Sequence, residues 1–463
     1  MEEFFRLKER GTNVRTEIVA GLTTFMVMAY IIFVNPSILS AAGVPAGPAL
    51  VATCVVAGAM TLLMGLWTNY PYAIAPGMGI NSALVALVLT NAELGLTWQE
   101  AMGVIFLEGL LITILVLTGL REAIMNAIPM SLKRAISVGI GLFILFIGLF
   151  NAGFVRTGVF PLPDGSLTGP LTALGLYNSL PILVAVVGLL FTLLLLARRV
   201  RGALLWGILG TTVFAIALRY LTGNPTSVVP GAAEIPPLDQ ILVAPSFATF
   251  GSGLNLGVFG KLGVITAALT IFSFMLSDFF DTMGTVIGIG AQAGWVDERT
   301  GSMPRLREIL VVDSLAAMFG GIAGSSSATT YIESAAGVEE GGRSGLTSVV
   351  VGILFLLAVF LSPLAGVVPQ EATAAALILV GFLMVQQVRE IPFDRIEEGV
   401  PALFTIVFMP FAWSITNGIA WGFVTYVFLK VAMGKGRQVS GLLYGTAVAF
   451  VLYLALPAIQ ALL

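Results

Sequence analysis

Residues Tyr70–Asn81 read Tyr-Pro-Tyr-Ala-Ile-Ala-Pro-Gly-Met-Gly-Ile-Asn, with two prolines and two glycines where an apolar span should begin. A second stretch, Gly320–Thr330, reads Gly-Gly-Ile-Ala-Gly-Ser-Ser-Ser-Ala-Thr-Thr and is too small and polar to face lipid. Both stretches predict extended or unwound backbone at membrane depth, which is tolerated only where protein or a water-filled cavity satisfies its polar groups. Two such stretches, in corresponding positions of the two halves of the chain, favour a binding site over simple close packing through small residues.

The composition excludes a soluble fold. Of the 463 residues, 57% are hydrophobic and 10% are charged, and the mean hydropathy is +1.00. Soluble domains have roughly 45–50% apolar and about 25% charged residues. The 22 Lys and Arg residues and the 25 Asp and Glu residues nearly cancel. No basic field is therefore present to bind nucleic acid.

The side chains present also limit the chemistry. The chain has no histidine and one cysteine, Cys54, so it has neither a Cys/His metal site nor an internal disulfide. The sequence shows no nucleophile with a base, no phosphate-binding glycine loop and no zinc motif, which disfavours an enzyme. We expect no metal and no cofactor, and any proton chemistry falls to carboxylates.

Apolar windows predict an all-α polytopic membrane protein with 14 or 15 spans. Lys and Arg precede the first span and recur in alternate connections, which places the N-terminus in the cytoplasm by the positive-inside rule. The polar start lacks the features of a cleaved signal peptide. Lys430 and Lys435 fit this alternation if Val400–Val431 is a hairpin turning at Thr416–Gly418. The last apolar segment is then an extra span or a surface helix.

A faint internal repeat divides the chain into halves joined by the Pro/Gly-rich stretch Gly223–Gly260. Gly21–Met28 can be laid on Ala268–Met275, and the same register sets Pro76–Asn81 against Ala323–Ala328. Seven spans per half would give the halves opposite orientations, as an inverted repeat requires.

Five acids lie inside predicted spans, and each costs about 2.5–3.5 kcal/mol there even on the lenient insertion scale. They are Glu108, Asp278, Asp281, Asp313 and Glu333. Asp278 and Asp281 share one helical face, with Thr285 one turn further. An alternative stays open, above all for Glu108: these acids only cap half-helices or form hydrogen bonds between spans.

The polar groups near the two interrupted stretches suit a neutral, flat ligand. Carboxylates together with Asn81, Ser334 and exposed backbone can form hydrogen bonds with several N–H donors and carbonyl acceptors on the edge of a heterocycle. A fixed anion site would instead require Arg or Lys, or helix N-termini without competing carboxylates.

At these residues the chain resembles the nucleobase/cation symporters of the nucleobase-ascorbate superfamily, in particular the AzgA-like hypoxanthine/guanine/adenine permease branch. The resemblance runs from Glu17 to about Lys435. The motifs that carry it are Glu17–Tyr30, Ala75–Asn81, Asp278–Thr285 and Ser326–Val338. It implies 14 spans in two inverted seven-span repeats, with spans 3 and 10 interrupted by short extended segments.

The resemblance also implies a core domain and a gate domain, each built from both halves. The corresponding boundaries are a cytoplasmic N-terminus (1–16), the core domain (17–120 and 261–366), the gate domain (121–222 and 367–463) and the linker (223–260).

Carried over residue by residue, the resemblance implies that Asp281 and Glu333 bind the purine and that Asp313 takes part in coupling. The interrupted third span would contribute four residues to the site: Met78, Gly79, Ile80 and Asn81. Thr285, which stands where uracil-type relatives have a histidine, and Ser334, which follows Glu333, are also expected to bind the substrate. Proton coupling would therefore fall to Asp281, Glu333, Asp313 or Asp278.

The sequence thus predicts an inner-membrane transporter that imports hypoxanthine, guanine or adenine with protons rather than sodium, as a homodimer in the bilayer. One alternative keeps the fold and changes the cargo to an anion such as sulfate or bicarbonate. Another is a proton channel or a structural membrane protein.

Overall fold

The computed structural model describes most of the chain: residues 2–119, 128–157, 160–161, 167–168, 172–175, 178–229, 232–234, 244–296, 303–364 and 366–462. Residues 120–127, at the predicted boundary between the first core and gate segments, lie outside the described residues. So do 230–231 and 235–243 of the predicted linker.

The chain is built of helices that follow one another through short connections. The first half contains α1 (Val14–Met28), α2 (Ile31–Ser40), α3 (Ala46–Leu63), α4 (Met78–Thr90), α5 (Trp98–Thr118), α6 (Met130–Asn151), α7 (Leu180–Ala197) and α8 (Ala203–Thr222). The second contains α9 (Val258–Leu262), α10 (Val264–Gln292), α11 (Leu306–Ala323), α12 (Ser334–Glu339), α13 (Gly345–Ala358), α14 (Gln370–Val385), α15 (Ile396–Phe411), α16 (Ile415–Ala432) and α17 (Gly441–Leu462).

Ten helical segments in the described part of the chain are long and apolar enough to cross a membrane. The predicted polytopic helical fold is therefore confirmed. The number of 14 or 15 spans stays a prediction. An interrupted span contains only a short helix, such as Met78–Thr90, which is not long enough to be counted among the ten.

Both interrupted stretches contain a short strand, as predicted. β1 (Ile74–Pro76) pairs antiparallel with β6 (Ala328–Thr330), and Ala75 lies opposite Thr329. The Gly77 amide donates to the Ser327 carbonyl at 2.8 Å, which extends the pairing beyond Pro76. Each interrupted segment thus satisfies backbone groups of the other, as apolar surroundings require.

The order of elements around β1 repeats around β6, which confirms the inverted repeat. In each half a long helical segment and a second helix lead to the strand, a half-helix follows it, and antiparallel pairing brings the two strands together. The sequence register was wrong at this point. It set Pro76 against Ala323, whereas Ala323 is the last residue of α11 and the counterpart of Pro76 at the end of β6 is Thr330. The connections before the two strands differ in length, so a fixed offset fails.

The C-terminal region forms a hairpin between α15 and α16, the arrangement with which the charge pattern agrees. The turn lies at Ala412–Ser414, so the predicted position at Thr416–Gly418 was wrong. Ser414 caps α16 by accepting a hydrogen bond from the Asn417 amide at 3.2 Å, and a serine in this position starts a helix. That the following α17 is an extra span or a surface helix stays a prediction.

Two short antiparallel pairs lie in the connection between α6 and α7, where the sequence did not predict strands. They are β2 (Val155–Thr157) with β5 (Thr172–Leu174), and β3 (Phe160–Pro161) with β4 (Leu167–Thr168).

A buried carboxylate joins α1 to the start of α13. The side chain of Glu17 accepts hydrogen bonds from the amides of Arg343 (2.8 Å), Ser344 (3.3 Å) and Thr347 (3.2 Å) and from the Thr347 hydroxyl (2.6 Å). The amides of a first helical turn have no partner inside the helix, and a carboxylate satisfies them while complementing the helix dipole.

Candidate substrate site

The five intramembrane acids differ in exposure. Asp281 on α10 and Glu333 at the N-cap of α12 are partly exposed, whereas the other three side chains are buried. The charge of Glu333 acts on Asp281, so the two carboxylates lie in each other's neighbourhood. Partly exposed carboxylates at the crossing of β1 and β6 are the ones that a ligand can reach.

Glu333 is held by a tyrosine from the first span. The hydroxyl of Tyr30, which lies between α1 and α2, donates to Glu333 Oε1 at 2.7 Å. Tyr30 is fully buried and Glu333 is partly exposed, so the bond is partly buried. A hydrogen bond to a charged group is stronger than a neutral one, and it fixes the direction of the carboxylate.

Asp313 anchors β6 to its surroundings. Its Oδ1 accepts from the amide and the hydroxyl of Thr330, both at 2.7 Å, and its Oδ2 accepts from the Thr282 hydroxyl at 2.6 Å. Thr282 also lies 2.6 Å from the Thr329 hydroxyl. Asp313 therefore ties β6 to α10 beside Asp281.

Asn81 is fully buried in a polar network. Its amide donates to Asn35 Oδ1 at 2.5 Å, and the Asn35 amide donates in turn to Thr53 (2.7 Å) and to the Ser325 carbonyl (3.0 Å). The network links the first turn of α4 to α2, α3 and the end of α11. It leaves Asn81 Oδ1 without a hydrogen-bond partner among the described residues.

The other predicted site residues of the interrupted third span form the start of α4. Met78 and Ile80 are buried, and Gly79 is partly exposed. A Cβ at Gly79 would collide with the side chain of Ile140 on α6. Glycine at this position therefore allows α4 to lie directly against α6.

Ser334 and Thr285 are both buried. The Ser334 hydroxyl accepts from the Ala73 amide at 3.0 Å, just before β1. Thr285 lies one turn beyond Asp281 on α10, and Asp278 is buried one turn before it. The structure thus joins Asp313 directly to β6 and Ser334 to the residue before β1, and it places the other predicted residues on α4, α10 and α12.

Sequence reasoning missed Tyr30 and Asn35 as members of this cluster. Tyr30 ends the first motif that carried the resemblance, and Asn35 is a polar residue inside an apolar run. Those signals were present, but only the fold shows that the two side chains contact Glu333 and Asn81.

A cavity of about 170 Å³ lies between α4, α10, the α15–α16 turn and α17. Its polar lining includes Asn91, Thr266, Thr270, Ser414 and Asn417. None of the predicted site residues lines this cavity. Its lining on α10 ends at Phe274, one helical turn before Asp278. In the part of the chain that the structure describes, no group of three Asp, Glu or Cys side chains could hold a metal ion.

The fold matches transmembrane domains of known transporters. The transmembrane domain of a cyanobacterium bicarbonate transporter, BicA, aligns with a TM-score of 0.62 and 15% identity, covering 89% of this chain and 97% of that one. The murine Slc26a9 anion transporter in the inward-facing state gives 0.61 and 14%, covering 90% and 68%. At these identities the likeness shows the fold alone.

Sequence comparison gives the family. A protein-family sequence model described as "Permease family" matches residues 15–421 of the chain. A putative permease of Methanocaldococcus jannaschii is 41% identical over 98% of this chain and 97% of its own length. The adenine permease AdeP of Escherichia coli is 40% identical (98% and 95%), and the guanine/hypoxanthine permease PbuG of Bacillus subtilis is 38% identical (98% and 99%).

The protein is thus a multi-pass membrane transporter and not an enzyme. The chain belongs to the permease family of the nucleobase-ascorbate transporters, which confirms the resemblance seen in the sequence.

Proposed function

We propose that the protein imports purine nucleobases, namely hypoxanthine, guanine or adenine, together with protons. Relatives at 38–40% identity over nearly the whole chain are named adenine and guanine/hypoxanthine permeases, which supports this substrate class. Import across the inner membrane, with the N-terminus in the cytoplasm and a homodimeric assembly, is part of the same proposal.

The observation that carries the proposal is the partial exposure of Asp281 and Glu333 at the crossed strands. Two carboxylates can accept hydrogen bonds from ring N–H groups on one edge of a purine. Tyr30 leaves Glu333 Oε1 already engaged, so Glu333 Oε2 is the oxygen available to the base. An anionic substrate would be repelled by the same pair.

Transport would proceed by alternating access, with the core domain (17–120 and 261–366) moving against the gate domain (121–222 and 367–463). The contact of Gly79 with Ile140 lies between these two domains. A small residue at such a contact allows the two helices to approach each other closely. The cavity beside α10 is also lined from both domains, and it is a candidate route toward the site.

The test is uptake of radiolabelled hypoxanthine, guanine and adenine into proteoliposomes under an imposed pH gradient. We expect saturable uptake of at least one purine, and at least a tenfold loss in Asp281→Asn and Glu333→Gln. Asp394→Asn, which removes an exposed carboxylate from the loop before α15, is the matched control and should transport normally.

Failure to take up any of the three bases, or equal uptake by both site variants and wild type, would contradict the proposal. The anion-transporter alternative predicts currents with sulfate or bicarbonate in the absence of purine. The same liposomes therefore separate the two cargo classes.

A further inference from the structure

Glu108 is a buried acid that the proposed purine site does not use. It lies in the middle of α5, and none of its side chain borders a space large enough for a water molecule. Among the described residues, neither of its carboxylate oxygens forms a well-aligned hydrogen bond, and the side-chain group that approaches them is the Ser327 hydroxyl. An ionised carboxylate in this state would be severely destabilised.

The side chain that faces Glu108 comes from the second interrupted segment. It is Ser327, the residue before β6, whose hydroxyl is also buried and has no hydrogen-bond partner within the described ranges. The carbonyl of Ser327 accepts from the Gly77 amide at the strand crossing. The side chain of Glu108 thus faces a residue, Ser327, whose carbonyl takes part in the backbone pairing of the two interrupted segments.

The surroundings of Glu108 are packed backbone to backbone. A Cβ at Gly109 would collide with the backbone of Met318 on α11, and one at Gly321 would lie 2.6 Å from the Phe106 nitrogen. A hydrated or bare metal cation therefore has no space beside the carboxylate in this conformation. A proton needs none.

The charges near Glu108 leave it uncompensated. On α11, Asp313 is the group whose charge acts on it, and Asp313 is itself held by three hydrogen bonds from threonines. On α10, which also packs against α5, the titratable residues are the acids Asp278 and Asp281. The basic residues of the other packed helices, Lys261 on α9 and Arg307 on α11, are exposed and lie near the two ends of α5, beside Gly95 and Leu117. The charge that acts on Glu108 is thus acidic, and donors already stabilise it on Asp313. The additional proton therefore belongs on Glu108.

We propose that Glu108 is a proton-binding site behind the strand crossing and that it is neutral in the described conformation. A second assignment rests on the proposed proton-coupled import: Glu108 carries the transported proton. The carboxyl takes this proton from water on one side of the membrane and returns it to water on the other. Loosening of the α5–α11 contact would expose the carboxyl and release the proton, while Ser327 would transmit the change to β6.

Infrared difference spectroscopy tests the protonation state without any transport assay. The spectrum of wild type minus Glu108→Gln should contain the carbonyl band of a neutral carboxylic acid. The matched control is Glu100→Gln on the same helix. Glu100 accepts from the amide and hydroxyl of Thr97, and its removal should subtract carboxylate bands instead. Carboxylate bands lost from Glu108→Gln would overturn the proposal.

Ser327→Ala provides a second variant in case Glu108→Gln does not fold. Removing the hydroxyl that faces the acid should shift the frequency of the neutral carbonyl band. An unchanged band in a folded Ser327→Ala protein would count against the proposal.

Transport tests the assignment of the coupled proton. In Glu108→Gln we expect purine exchange at equal concentrations to persist, while the pH gradient no longer drives accumulation, so that the accumulation ratio falls to one. Accumulation equal to that of wild type would contradict the assignment. If wild type transports no purine, the proposed function fails, and the infrared result still decides whether Glu108 binds a proton.

Discussion

The hydroxyl of Tyr30 donates a 2.7 Å hydrogen bond to Glu333 Oε1, and so joins the junction of α1 and α2 to the start of α12. This bond connects the first span of one half to the interrupted span of the other. It determines which oxygen of Glu333 is available to a ligand.

Tyr30→Phe should weaken purine binding about 10- to 100-fold. A hydrogen bond to a charged group contributes about 1.5–3 kcal/mol, and a factor of ten corresponds to about 1.4 kcal/mol. Titration of the purified protein with radiolabelled purine measures the change. Tyr444→Phe, which removes a hydroxyl bonded to the Gly436 carbonyl near the C-terminus, is the control. Equal affinity in Tyr30→Phe and wild type would show that the bond does not orient Glu333 for binding.

Asp313→Asn should lower the free energy of unfolding by about 1–3 kcal/mol, because buried donors on Thr282 and Thr330 lose a charged acceptor. The melting temperature in detergent measures this effect. Thr282→Ser keeps the hydroxyl and should melt close to wild type, whereas Thr282→Val should show part of the loss. An Asp313→Asn protein as stable as wild type would refute the role of Asp313 as the anchor of β6.

Glu17→Gln should destabilise the protein by about 1–3 kcal/mol, since an amide has one acceptor oxygen where the carboxylate serves four donors. The readout is again thermal melting. The control is Glu9→Gln, which changes an acid whose side chain is 72% exposed and should leave the melting temperature unchanged. A similar loss in both variants would point to a general effect of charge.

The ion pair between Lys435 and Glu397 should make stability depend on pH. Glu397 lies in the first turn of α15, and Lys435 follows the end of α16. The Lys435 Nζ lies 2.5 Å from Glu397 Oε1. The hydrogen bond from the Lys435 ammonium lowers the pKa of Glu397 below its ordinary value of about 4.5. A lowered folded-state pKa stabilises the protein above the ordinary value, and this contribution is lost as the pH falls through the lowered one.

Melting temperatures measured from neutral pH down to about pH 3 should therefore fall less steeply in Glu397→Gln than in wild type. Lys435→Met should behave like Glu397→Gln, because it removes the charge that shifts the pKa. Parallel curves for all three proteins would contradict the expected dependence.

The sequence predicted the two interrupted spans because their cause is local. Pro76 has no amide to donate, and the small residues of Gly324–Thr330 cannot cover a helix against lipid. It also predicted the strand-like backbone in both stretches and the hairpin near the C-terminus. The sequence misplaced the turn of this hairpin, which lies at Ala412–Ser414. Several neighbouring polar residues can cap a helix, and the sequence does not show that Ser414 is the one that does.

The repeat register could not be read from matched residues alone. Apolar sequence offers many accidental matches, and connections of different length move β6 relative to β1. Only the pairing of Ala75 with Thr329 fixes the equivalence.

By itself, the amino-acid sequence determined that this chain is a polytopic helical membrane protein with acids at two broken spans, because hydropathy and helix interruption are properties of neighbouring residues. Only the tertiary structure decided what each acid does. It leaves Asp281 and Glu333 partly exposed, uses Asp313 to hold β6 and Glu17 to cap α13, and buries Glu108 against Ser327. These roles depend on partners far apart in the chain, such as Tyr30 and Glu333, which are separated by 303 residues and meet only when the two halves pack together.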